Sequence, residues 1–310
     1  MPHQSTFLTC GHLLPFAAPG FGYVCRVEPL DAEQVRRAVE LALAEDIGGG
    51  DVTSLATVPE DIIARAVMRA REALVVAGVA FAEAAFKQVS PAVQIKRLLE
   101  DGQRAIVDKP ILEISGPARE ILSAERVALN FVQRLSGIAT LAAQFVDAIK
   151  GTKTQILDTR KTTPGWRRFE KYAVACGGGR NHRMGLFDMI LIKDNHLVAL
   201  KNESPNAIAA AVARARSRNP ELKVEVEADT LEQVEQAVQA GADFILLDNM
   251  NAVQLRLAVQ KAKGRAQTEA SGGITLATVR AVADTGVDFI SVGALTHSAR
   301  AVDIGLDFET

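Results

Sequence analysis

KVEVEADTLEQVEQAVQAGADFILLDN, residues 223–249, holds one complete strand-helix-strand unit and decides the fold class. KVEVEA (223–228) and FILLDN (244–249) are short runs of β-branched and leucine residues and read as strands. Between them Thr230 and Gln233 form a capping box ahead of LEQVEQAVQAG, and Gly241 ends that helix in an AGAD turn. Both strands run out into polar residues. The same texture recurs on either side, with TQILDT (154–159), MILIKD (189–194), RAQTEA (265–270) and FISVGA (289–294) as further strands. Ser204 with Pro205, and Thr275, are expected to open two of the intervening helices. Strands alternating with helices in this way imply parallel βαβ units with the sheet buried on both faces. An open doubly wound sheet and an α/β barrel both satisfy the pattern. Polar residues at the carboxyl ends of all six strands favour the barrel, because an open sheet gathers its site at one switch point. Six strands are fewer than eight, so the barrel is expected to be open, or to draw a strand from the weakly patterned 160–188 region.

The first half of the chain reads differently. Asp31 caps a helix whose Val35, Ala38, Val39 and Ala42 share a face, ending in glycines 48–50. Residues 62–71, 73–78, 93–100 and 110–116 alternate as strands, with a helix over Phe81 to Val89. Ser123 then opens a long helical stretch in which Arg126, Asn130 and Arg134 recur every fourth residue, and Gly137 is expected to divide or bend it. The domain reading is a poorly ordered extension over 1–27, an N-terminal α/β domain over 28–137, and a barrel over 138–310 whose last residues pack back on the first domain.

Composition excludes several functions. A formal net charge of -2 and 5% aromatic residues do not suit a dedicated nucleic-acid binder. No apolar run approaches the roughly 20 residues of a membrane-spanning helix. Cys10, Cys25 and Cys176 show no CxxC spacing, which fits a reducing cytoplasm. His3 and His12 receive no metal role.

Against that neutral balance, residues 156–196 concentrate eight cationic residues where two strands end. Taken together, the strand ends carry Thr159, Arg160 and Lys161; His182, Arg183 and Lys193; Glu225 and Glu227; Asp248 and Asn249; Ser271, Gly272 and Gly273; and Val292, Gly293, Ala294 and His297. Arginine binds carboxylate or phosphate bidentately and lysine acts as a point charge, so the cations suit a multiply anionic small molecule. Glu225 and Glu227, two apart, share one strand face, and with Asp248 on the next strand they offer hard oxygen ligands for Mg²⁺. SGG at 271–273 and VGA at 292–294 expose backbone amides where barrels commonly hold a phosphate. WRRFEK (166–171) reads as a charged surface loop, leaving Arg167, Arg168 and Lys171 outside the site, and GGG at 177–179 as a flexible turn. Trp166, Cys176 and Met184 read as packing residues.

DTRKTTPG, GGGRNHRMGLFDMILIKDNH, EVEADTLEQ, FILLDN, EASGGI and VGALTHSARAVDIGLDF, in this order, resemble the quinolinate phosphoribosyltransferase family, and EDIGGGDVTS (45–54) and ERVALNFVQRLSGIAT (125–140) resemble its N-terminal portion. The resemblance runs from about residue 29 to the end. It implies an N-terminal α/β sandwich, an open α/β barrel, and a homodimer whose active sites are shared between chains. It implies pentosyl transfer from phosphoribosyl pyrophosphate (PRPP) to quinolinate with Mg²⁺, yielding nicotinate mononucleotide, pyrophosphate and CO₂ in NAD synthesis. On the same resemblance Arg126 reaches quinolinate in the neighbouring chain, and Arg160, His182, Arg183 and Lys193 hold its two carboxylates. Lys161 faces the pyrophosphate or carboxylate region, Glu227 and Asp248 serve the metal and ribose, and Ser271 to Gly273, Gly293 and His297 take the 5′-phosphate. Lys161, Lys193, Glu227 and Asp248 are the expected catalytic residues. A related phosphoribosyltransferase with another acceptor, or a non-catalytic phosphate-binding barrel, are the alternatives.

Overall fold

A computed structural model describes residues 30–309, so the readings of the 1–27 extension and of His3, Cys10, His12 and Cys25 lie outside the described residues. Asp31 accepts from the Glu33 amide and starts α1 (Ala32–Ile47), which buries Val35, Val39 and Leu43. Asp51 caps α2 (Val52–Thr57) in the same way. There follow β1 (Ile63–Ala70), β2 (Leu74–Val75), α3 (Val79–Val89), β3 (Gln94–Arg97), β4 (Arg104–Ala105) and β5 (Pro110–Pro117).

Helix α4 (Ala118–Ala148) starts five residues before Ser123 and runs unbroken for 31 residues. Gly137 does not divide it. A Cβ at position 137 would lie 2.0 Å from the Arg300 carbonyl oxygen, so this glycine exists to let a second backbone approach the helix.

The second half of the chain contains β6 (Gln155–Leu157), α5 (Arg167–Cys176), β7 (Ile190–Ile192), α6 (Asp194–Ala199), α7 (Ala207–Arg218), β8 (Val224–Ala228), α8 (Leu231–Gln239), β9 (Phe244–Asp248), α9 (Ala252–Ala262), β10 (Gln267–Ser271), α10 (Val279–Ala283), β11 (Phe289–Ser291), α11 (Ala294–His297) and β12 (Ile304–Glu309). All six expected barrel strands form, and they pair in parallel in the order β6-β11-β10-β9-β8-β7. The edge strands β6 and β7 do not pair with each other, so the barrel is open. The 160–188 region adds one parallel bridge, Arg180 to Leu157. Strand β12 leaves the barrel and pairs antiparallel with β1, completing a sheet of order β12-β1-β5-β3.

Some local readings need correcting. The Asn206 side chain, not Ser204, caps α7, and Thr278 rather than Thr275 precedes α10. WRRFEK is no surface loop: Trp166 precedes α5, and Phe169, Glu170 and Lys171 are buried. The amphipathic face of α5 packs on α4, with Trp166 stacked on Phe131 at 5.1 Å between ring centroids. Charged residues concealed that face in the sequence. Nor is the triple glycine a slack turn, since a Cβ at Gly177 would meet the Ala139 carbonyl oxygen at 2.2 Å.

The parallel register aligns Glu225 with Phe244, Glu227 and Glu269 with Leu246, and Ser271 with Asp248. Aligned residues of parallel strands share a face, so these line the barrel interior. Leu157, Met189, Phe244 and Phe289 form a small apolar cluster separate from the main core. Polar residues occupy the levels above it.

Candidate active site

At the carboxyl ends of β6 and β11, Lys161 and His297 converge on Gly293. A Cβ there would lie 3.1 Å from Lys161 Cδ and 3.2 Å from His297 Nε2, so a larger residue would push both aside. Thr159 Oγ1 accepts from the Lys161 amide at 3.1 Å, turning the chain out of β6. Beside it Arg160 is half-buried, and its Nε is buried with no hydrogen-bond partner. A buried guanidinium nitrogen left unsatisfied by the protein is suited to an incoming anion.

Opposite stand the acids. Glu227, Asp229 and Asp248 bring carboxylate oxygens within 4.8 Å of one another at the ends of β8 and β9. Lys193 Nζ lies 3.1 Å from Glu227 Oε2, joining the cationic and acidic walls. Asn249 Nδ2 donates to Asp248 Oδ2 at 2.7 Å. Asn249 sits at φ 53, and a Cβ on Gly272 would fall 2.1 Å from its Oδ1, so only glycine fits at 272. Gly273 has φ 60 with open space around it.

His182, expected among the mouth cations, instead lies one level deeper. It is buried, with Nε2 3.1 Å from Glu225 Oε2 and 3.6 Å from Glu269 Oε2. Its Nδ1 accepts from the Arg183 amide at 2.7 Å, so the ring proton belongs on Nε2, facing the carboxylates. Burial pulls the imidazole below its ordinary pKa, against the opposing effect of Glu269. Arg183 is also buried and donates to the Met189 carbonyl at 3.2 Å. Below Thr159, buried Asp158 pairs with Lys171 and accepts from Asn181 Nδ2 at 2.6 Å and the His182 amide at 2.8 Å. Burial pushes the Asp158 carboxyl up, and Lys171 draws it back down. Arg126 stands exposed on α4. Val292 is buried and Ala294 half-buried behind Gly293.

A cavity of about 700 Å³ lies elsewhere, at the amino ends of the strands around Phe244 and Val259. Its Lys153 and Lys223 are already paired with Asp288 and Asp243. That end of a barrel carries stability rather than chemistry.

A family model described as "Quinolinate phosphoribosyl transferase, C-terminal domain" matches residues 138–307, and the corresponding N-terminal model matches 51–136. The chain belongs to the quinolinate phosphoribosyltransferase family. The two family models meet inside α4, so both domains of this quinolinate phosphoribosyltransferase fold share that helix. The "Nicotinate-nucleotide pyrophosphorylase [carboxylating]" of Mycobacterium leprae is 44% identical over 281 residues, covering 89% of this chain and 97% of the relative. The chloroplastic protein of that name from Arabidopsis thaliana is 44% identical over 292 residues, covering 89% and 83%. The solved nicotinate-nucleotide pyrophosphorylase of Francisella tularensis superposes with a TM-score of 0.86 at 42% identity, covering 92% of this chain and 99% of that one.

Sequence reasoning missed Asp229. Its signal was the period-two run Glu225, Glu227, Asp229, which continues past the end of β8. It also missed Asp158 and the residues of α5 that hold the strand ends, because their roles exist only through tertiary contacts.

Proposed function

We propose that this protein transfers the phosphoribosyl group of PRPP to quinolinate with loss of CO₂, giving nicotinate mononucleotide and pyrophosphate in de novo NAD synthesis. The observation that carries this reading is one barrel mouth with a cationic wall, where Arg160 holds an unsatisfied Nε, facing an acidic wall of Glu227, Asp229 and Asp248. Arg160, Arg183 and Lys193 suit the two carboxylates of quinolinate. His182, with Nδ1 engaged and Nε2 directed at buried carboxylates, fixes Arg183 from below. Lys161, Gly293 and His297, with Ser271 to Gly273, suit the phosphates of PRPP.

The pyridine nitrogen attacks the anomeric carbon as pyrophosphate leaves, and positive charge develops on the ribose. Glu227 and Asp248 stabilise that charge, while Lys161 receives charge building on the leaving group. The ring nitrogen is then cationic. Loss of the adjacent carboxylate as CO₂ leaves an electron pair beside it, and a proton replaces the carboxylate. Lys193 orients that carboxylate without binding it so tightly that its departure slows.

The donor set fits Mg²⁺: Glu227 and Asp248, with Asp229 beside them, are hard oxygen ligands able to share the ion with substrate phosphates. When bound there, the ion would neutralise charge on the departing pyrophosphate. Arg126, exposed on α4, supports a homodimer in which it completes the partner's site. Three cysteines without CxxC spacing support a reducing, cytoplasmic location.

The test is to supply quinolinate, PRPP and Mg²⁺ and detect CO₂ together with nicotinate mononucleotide. Nicotinate used as readily as quinolinate, with no CO₂ released, would overturn the assignment.

A further inference from the structure

We propose that Glu170 and Lys171 of α5 are positioning residues that aim the Arg160–Lys161 loop, with Glu170 acting on the reaction through Lys161. This rests on the reaction proposed above. Thr159, Arg160, Lys161 and Thr162 leave β6 without helix or strand structure of their own, so something else must order them before substrate arrives. Helix α5 grips both flanks. At the entry Lys171 pairs with Asp158, and at the exit Glu170 accepts from the Thr163 amide at 3.0 Å and from Thr163 Oγ1 at 2.8 Å. Arg167 Nε donates to Thr162 Oγ1 at 3.0 Å.

Glu170 also belongs to a ring of contacts closing on Lys161. Arg134 of α4 donates to Glu170 Oε1 at 2.9 Å, to the Thr296 carbonyl at 2.7 Å and to the Ala299 carbonyl at 2.6 Å. Thr296 Oγ1 in turn donates to the Lys161 carbonyl at 2.7 Å. Lys171 performs the parallel task for the other cationic segment: its Nζ donates to the His182 carbonyl at 2.9 Å, and its backbone carbonyl accepts from Asn181 Nδ2 at 2.8 Å. The two neighbouring side chains are 0% and 1% exposed. Burying a charge is costly unless it is paired, and here the pairing runs to both segments that carry the site's cations.

A reacting group held about 1 Å out of place costs on the order of 100-fold in rate. Glu170→Ala is therefore expected to lower kcat by about 100-fold while the KM for quinolinate changes less than about threefold. In a Lys161→Ala background the same change is expected to cost under about threefold, because the group being aimed is gone. A merely structural role predicts independent, multiplicative losses in that double variant, and those would overturn the proposal. Thr163→Ala, which removes a surface hydroxyl and no buried charge, covers the case where Glu170→Ala does not fold. It is expected to lower kcat about fivefold with the same non-additivity, and wild-type turnover would count against the clamp. Amide exchange at residues 159–163 gives a readout without catalysis: it should accelerate in Glu170→Ala or Thr163→Ala, and unchanged protection refutes the clamp. A wild-type protein making no nicotinate mononucleotide would instead defeat the proposed reaction and leave exchange to judge the clamp.

Discussion

Replacing Gly137 with alanine sets a local preference against a tertiary contact. In an isolated helix the change gains about 1 kcal/mol, because glycine is the worst non-proline helix former. Here the new Cβ would lie 2.0 Å from the Arg300 carbonyl oxygen, 3.0 Å from its carbon and 3.3 Å from Ala301 Cα. All three are backbone atoms, so no side-chain rotation relieves the overlap. The strap beyond α11 would have to retreat by more than 1 Å, yet it is pinned on both sides: Arg134 holds the Ala299 carbonyl at 2.6 Å, the Val302 amide donates to the Gln133 carbonyl at 3.2 Å, and Gln133 Nε2 donates to the Ile304 carbonyl at 2.7 Å. Overpacking of this kind costs about 3 kcal/mol, so after the propensity gain the variant should lose about 2 kcal/mol. For a chain of this size that lowers Tm by roughly 3 °C. Differential scanning calorimetry of Gly137→Ala beside Gly49→Ala, whose Cβ would meet nothing within 4 Å, provides the assay. A Tm for Gly137→Ala equal to or above the wild type would refute the reasoning, since the helix gain would then be unopposed.

Other outcomes follow from the same geometry. Glu72 accepts from Arg300 Nη1 and the Asp303 amide, each at 2.8 Å, and the Arg300 guanidinium holds its carboxyl down at about 2. Its contribution is therefore present above the ordinary carboxylate pKa and lost as pH falls toward that value. Urea unfolding should show wild type more stable than Glu72→Gln at pH 6, with the gap closing between about pH 4.5 and 2; a gap constant with pH would be inconsistent with this. Asp229→Asn should raise the Mg²⁺ concentration for half-maximal rate roughly tenfold, whereas Asp248→Asn should cut kcat on the order of 100-fold even at saturating metal. An unchanged metal requirement in Asp229→Asn would remove that residue from the acidic wall. Mixing Arg126→Ala with Lys161→Ala protein should recover part of the wild-type rate if each site draws Arg126 from the other chain, and no recovery after verified subunit exchange would argue against sharing.

The barrel strands and most of their helix starts were readable in the sequence for a local reason. Buried parallel strands are short apolar runs, and caps such as Thr230 with Gln233 act within four residues of themselves. The strand-end chemistry was readable on the same basis, since period two places Glu225 and Glu227 on one face wherever the strand goes. Other misreadings arose from features whose cause lies far along the chain. Gly137 looked like a helix breaker because its partner, Arg300, is distant in sequence. Glu170 and Lys171 looked like surface charge because Arg134, Thr163, Asp158 and the 181–182 segment come to them only on folding. His182 looked like a mouth residue, but on folding its Nε2 comes to lie against buried Glu225 and Glu269. The sequence by itself thus determined which side chains stand at the strand ends. Tertiary packing alone decided which of them face substrate and which hold the others in place, because a buried charge takes its role from the partners that desolvation forces on it.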